Sequence, residues 1–155
     1  MKAKPIVLTI FLVVVAAAMG FADSPHMGTW KLNEAKSKLT GKARNNTVVY
    51  APEGDQIKIT VDGVDENGNA IHNEWTGKFD GKDYPVTGDA NADARSYTMN
   101  GRTLVLKNKK GGKVILTGRV VVSRDGKSRT VTTTATNAQG KKITNVSVYD
   151  KQLPR

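Results

Sequence analysis

The chain has no cysteine, only two histidines, and few aromatic residues, 6% of the total. Without cysteine there is no disulfide framework, no thiolate metal ligand and no thiol nucleophile. Its two histidines, His26 and His72, complete no recognisable Ser-His-acid set, and they are too few for a histidine-rich metal cluster. There is also no Gly-x-x-x-x-Gly-Lys loop to cradle a phosphate. Acid pairs such as Asp65-Glu66 sit in turn sequence and are not a general acid and base held across a substrate. The expectation is a non-enzymatic protein that needs no cofactor and no metal.

Long apolar runs are also missing, except at the start. Met1-Lys2-Ala3-Lys4 is followed by a stretch from Ile6 to Ala18 that is apolar apart from Thr9, and then by Gly20-Phe21-Ala22. A basic start, a short apolar run and small residues before a cut site describe a secretory signal peptide, residues 1–22. The run falls short of the roughly 20 residues that span a bilayer, so no transmembrane anchor is expected in the mature chain. No cysteine is present for lipid attachment. The expected product is a single domain, 23–155, exported to the periplasm or secreted.

Charge is plentiful and one-sided. Of 24 Lys and Arg, Lys2 and Lys4 leave with the signal, so 22 face 14 Asp and Glu, a formal charge of +8. Such an excess favours anionic partners. Export directs that preference to anionic cell-envelope surfaces or acidic ligands, and nucleic acid is not expected.

Turn chemistry dominates the rest. Asp62-Gly63, Asn67-Gly68, Asp80-Gly81, Asn100-Gly101, Gly111-Gly112, Asp125-Gly126 and Gln139-Gly140 are of the kind that supplies the positive φ of tight hairpins. Between them apolar residues alternate, as in Ile57-Lys58-Ile59-Thr60-Val61. From Ile71 to Phe79 one face holds Ile71, Trp75, Gly77 and Phe79 and the other His72, Glu74, Thr76 and Lys78. That period of two marks strands with one wet face. Strands are predicted near 28–32, 46–51, 56–62, 70–79, 84–87, 95–99, 102–108, 113–123, 128–136 and 142–150, with Gly118 as a bend or bulge. One short helical turn over 33–38 would be capped by Asn33. Hairpins between sequence neighbours favour an all-β, antiparallel up-and-down barrel of about 8–10 strands, because closure removes exposed edges.

The stretch "GTWKLN" (Gly28 to Asn33), followed by "EAKSK", resembles the first strand of the calycins, the lipocalins and fatty-acid-binding proteins. In those barrels the tryptophan packs across the closed base. With "DGKDYPVTG", "NKKGGK" and a final "VYDKQ", the mature chain resembles a group of small secreted bacterial lipocalin-like proteins. The resemblance implies a barrel with Trp30 in its base. Fatty-acid-binding proteins grip a carboxylate with an arginine two residues before a tyrosine on the last strand. Tyr149 matches that tyrosine, but Ser147 stands where the arginine would be, and the first connection is too short for a two-helix lid.

Candidate ligand-binding residues follow from the faces. Trp75 and Phe79 could line a cavity or fill the barrel themselves. Asn145, Ser147 and Tyr149 form a polar row that would orient a small apolar or amphiphilic ligand if it points inward. Trp30 reads as base packing. Lys107, Lys109, Lys110 and Lys113 make a basic hairpin tip, either a solvated turn or a contact for anionic surfaces. The alternative to a carrier is thus a filled basic barrel that docks on the cell envelope. His72 and Glu74 could share one ion, but two ligands do not make a zinc site, and His26 falls in a segment expected to be mobile. Asn45-Asn46-Thr47 and Asn145-Val146-Ser147 are formal glycosylation sequons.

Overall fold

The structure, a computed structural model, describes residues 24–154. The expected signal peptide lies outside the described residues. Ten strands follow in order: β1 (Gly28–Leu32), β2 (Arg44–Glu53), β3 (Gln56–Val64), β4 (Ala70–Gly77), β5 (Tyr84–Thr87), β6 (Ala94–Asn100), β7 (Thr103–Lys110), β8 (Lys113–Val122), β9 (Ser128–Thr136) and β10 (Lys142–Lys151). Each pairs antiparallel with its sequence neighbour, and β1 closes the barrel by pairing with both β2 and β10. The all-β up-and-down barrel expected from the hairpin pattern is the observed fold.

Between β1 and β2 the expected helical turn is a single 3-10 turn, Glu34–Lys36. The Lys36 N–H is shared between the Asn33 carbonyl at 3.3 Å and the Asn33 side chain at 3.2 Å, so the cap reinforces the turn's own bond.

Two glycines play different parts from those expected. Asp62-Gly63 is not a turn: β3 runs on to Val64, and the reversal comes at Asp65 to Asn69. There the Asp65 carboxylate accepts the N–H groups of Asn67 and Asn69, both at 2.9 Å. Gly63 instead faces a register shift on β2 between Asn45 and Thr47, where a Cβ would collide with the Arg44 carbonyl. Gly118 is not a bulge. Register runs evenly from Leu116↔Ala135 through Gly118↔Thr133 to Val120↔Val131, and the irregularity in this hairpin falls at Asn108/Lys109. A Cβ at Gly118 would lie 3.0 Å from Leu106 Cγ, so its bareness makes room for an inward leucine.

Alternate residues turn inward and bury Trp30, Ile57, Ile59, Trp75, Leu104 and Val120 almost completely. The connections between β1 and β2, β3 and β4, β5 and β6, β7 and β8, and β9 and β10 all fall at one end of the meander, here called the mouth. The other end, the base, is closed by Trp30. His26, expected in a mobile segment, is fully buried there, and its carbonyl accepts the Trp30 Nε1–H at 2.9 Å.

Candidate functional site

The barrel is hollow. A cavity of about 750 Å³ opens among the mouth loops and runs inward between the strands, a size within the range of small-molecule sites. Val48 and Val61 line one side, and Leu106, Leu116, Val120 and Val131 another. These are the inward members of the alternating runs, so the apolar walls follow directly from the period of two.

The polar row of the last strand faces this space. Asn145, Ser147 and Tyr149 all line the cavity. Two of the three are already engaged: Asn145 Oδ1 accepts the Thr40 N–H at 2.6 Å and its hydroxyl at 2.9 Å, and the Tyr149 hydroxyl donates to the Asn45 carbonyl at 3.0 Å. Burial pushes the Tyr149 phenol above its ordinary pKa, so it stays a neutral donor.

Of the two roles open to Trp75 and Phe79, lining a ligand cavity is not the one observed, since neither is on the cavity wall. They belong to an aromatic cluster that fills the barrel beside it. Trp75 stacks with Phe79 at 6.4 Å and meets Tyr97 edge-on at 4.8 Å. Its Nε1–H donates to the Arg95 carbonyl at 2.9 Å. Trp75 faces inward as its strand phase demanded and is covered by neighbouring rings, whereas Phe79 lies past the end of β4 at Gly77 and is half-buried against the same cluster. Trp30 is also fully buried and off the cavity wall, with Arg129 and Lys151 over its ring.

The residue that the sequence reading missed is Arg129 on β9. It lines the cavity, yet it is 2% exposed. Its guanidinium carbon lies 5.0, 4.9 and 4.8 Å from the ring centroids of Trp30, Tyr50 and Tyr149. Its Nε and Nη1 have no hydrogen-bond partner among the described residues. A π cage stabilises a cation, but a buried guanidinium with unfilled donors is costly unless an acceptor arrives. One cue was present: Arg129 is in phase with Val131 and Ala135, the more apolar side of β9.

A second guanidinium lies higher in the wall. Arg95 donates from Nε to Asn108 Oδ1 at 2.6 Å and from Nη2 to Asp89 Oδ2 at 3.3 Å. It is in phase with Tyr97 on β6, another charged residue on an inward face.

The basic hairpin tip is at the mouth end, but its lysines do not line the cavity. Lys109 pairs with Asp83 at 2.8 Å and Lys110 Nζ donates to the Ala90 carbonyl at 3.4 Å, while Lys107 and Lys113 are exposed. On the outer face of β3 and β4, His72 lies between Asp62, 2.6 Å from Nδ1, and Glu74, 3.2 Å from Nε2. Hydrogen bonding to Asp62, then to Glu74, raises its pKa. The carboxylates take opposite nitrogens, so they do not converge with the ring on one ion.

No protein-family model matches the chain, and no curated protein matches it. Among solved structures it is similar to zebrafish ileal bile acid-binding protein complexed with cholic acid. The identity is 15%, the match covers 83% of this chain and 100% of that one, and the TM-score is 0.50. At that identity the likeness is one of fold, a closed antiparallel β-barrel.

Proposed function

We propose that this protein is a non-enzymatic carrier that holds a small amphiphilic ligand inside the barrel, its anionic group toward Arg129 and its apolar body against Val48, Val61, Val120 and Val131. The observation that carries this reading is the buried, caged guanidinium of Arg129 with two unfilled nitrogens at the wall of a hollow barrel. An anion there would supply charge-assisted hydrogen bonds, about twice as strong as neutral ones. Ser147 and Tyr149 stand beside it. The cholic acid of the structural neighbour is an amphiphilic carboxylic acid and a suitable first probe. The basic start, apolar run and small-residue site of residues 1–22 support export, so the carrier would work in the periplasm or outside the cell.

The alternative, a filled barrel docking on anionic envelope surfaces through Lys107, Lys109, Lys110 and Lys113, is disfavoured. The interior is open, and two of the four lysines are engaged within the fold.

Native mass spectrometry of the protein purified from its own host tests the carrier reading. A mass excess lost on denaturation is expected, and it should disappear in Arg129→Met. A clean apo mass, together with no binding of cholate by titration, would count against it.

A further inference from the structure

The loop between β5 and β6 closes over part of the cavity, and only some of it is pinned. At its far end Asp93 is held on three sides. Its N–H donates to the Lys109 carbonyl at 2.9 Å, its carbonyl accepts the Val86 N–H at 3.1 Å, and its carboxylate accepts the Gly111 N–H at 2.9 Å. Ala92 is buried in the core. The four residues before them, Gly88 to Asn91, all line the cavity. Gly88 has φ +79° and crosses β4 so closely that a Cβ would collide with the His72 carbonyl. It is the position where the backbone can turn.

Two side chains tie this flap: on the outside Lys110 Nζ donates to the Ala90 carbonyl at 3.4 Å, and on the cavity side the Asp89 carboxylate holds it to the wall. Asp89 Oδ1 accepts the Asn91 N–H at 2.9 Å, which shapes the flap, and Oδ2 accepts from Arg95 Nη2 at 3.3 Å, which ties it to the wall. The Arg95 side chain is 7% exposed and that of Asp89 17%. Stripping the anion from so buried a guanidinium is costly, but exchanging one anion for another is not.

Resting on the carrier reading, we propose that Asp89 is a tethered stand-in for the ligand's anionic group: an entering anionic amphiphile displaces it from Arg95 and so releases the Gly88 to Asn91 flap. Arg95 is then the anion's first stop and Arg129 its deeper one. Asp89 lowers the apparent affinity for anionic ligands, because Arg95 is free of its own carboxylate, and so open to theirs, only a fraction of the time. Uncharged ligands of the same shape cannot make the exchange.

The test compares cholate with its methyl ester, titrated calorimetrically against the wild type and Asp89→Asn. Amide hydrogen exchange is followed across residues 88–91. D89N is expected to bind cholate about tenfold tighter, a free-energy change of about 1.4 kcal/mol, with the ester unchanged. Flap amides should exchange roughly tenfold faster in D89N, and in wild type on adding cholate, as local opening becomes easier. Cholate affinity within about twofold of wild type, or equal tightening for the ester, overturns the exchange. If both proteins bind cholate alike while Arg129→Met does not bind, only the exchange falls; if neither binds cholate or ester, the carrier reading falls with it.

Discussion

Arg129 and Trp30 face each other across the barrel base, guanidinium carbon 5.0 Å from ring centroid, although β10 separates their strands. With Tyr50 and Tyr149 completing the cage, a cation is set where an apolar core would otherwise continue. That pairing divides binding from stability, and its removal should affect the two differently.

Arg129→Met is expected to keep or slightly raise stability. Three cation–π contacts are lost, each on the order of 1 kcal/mol, but the desolvation of two unfilled donors, about 1–3 kcal/mol each, is relieved. Affinity for cholate should fall at least tenfold, about 1.4 kcal/mol. Urea unfolding with calorimetric titration checks both, and a large loss of stability would make Arg129 a structural plug.

Trp75→Ala should do the reverse. The side chain is buried outside the cavity wall, so truncation should cost about 3–5 kcal/mol of stability and also free the Arg95 carbonyl. Cholate affinity of the folded fraction, measured well below the melting temperature, should stay within a few-fold of wild type.

Tyr149→Phe removes a hydroxyl that ties β10 to the irregular start of β2 through the Asn45 carbonyl. The expected cost is about 1 kcal/mol, typical of one hydrogen bond, read as a lower urea midpoint with an unchanged m-value.

His26 predicts the acid limb of the stability curve. Burial first, then the nearby Arg129 charge, lower its pKa from 6.5 to about 4. Between those values the unfolded chain binds the extra proton, so stability is highest above about pH 6.5 and falls as pH drops toward 4. The loss reaches roughly 3 kcal/mol at about 1.36 kcal/mol per pKa unit. His26→Leu should flatten that part of the curve in urea unfolding across pH, since Trp30 bonds only the backbone carbonyl of residue 26.

Strand positions were readable because their causes are local. The predicted strand over 142–150 is observed as Lys142–Lys151, since turn residues and a period of two act within a few positions. Asp62-Gly63 misled for a non-local reason: only a bulge on the facing strand demands glycine there. The inward row of Asn145, Ser147 and Tyr149 was visible as a row, but its direction depended on how the barrel closed.

By itself the sequence determined an antiparallel meander, an inward face for each strand and a tryptophan at its start, because alternation and turn geometry are short-range. The tertiary structure alone decided which inward residues meet a cavity and which are covered. Trp75 and Arg129 have the same inward phase, yet one is enclosed by Phe79 and Tyr97 and the other by Trp30, Tyr50 and Tyr149 beside open space. The difference lies in the stagger of strands around a closed barrel, which sets contacts between residues far apart in the chain.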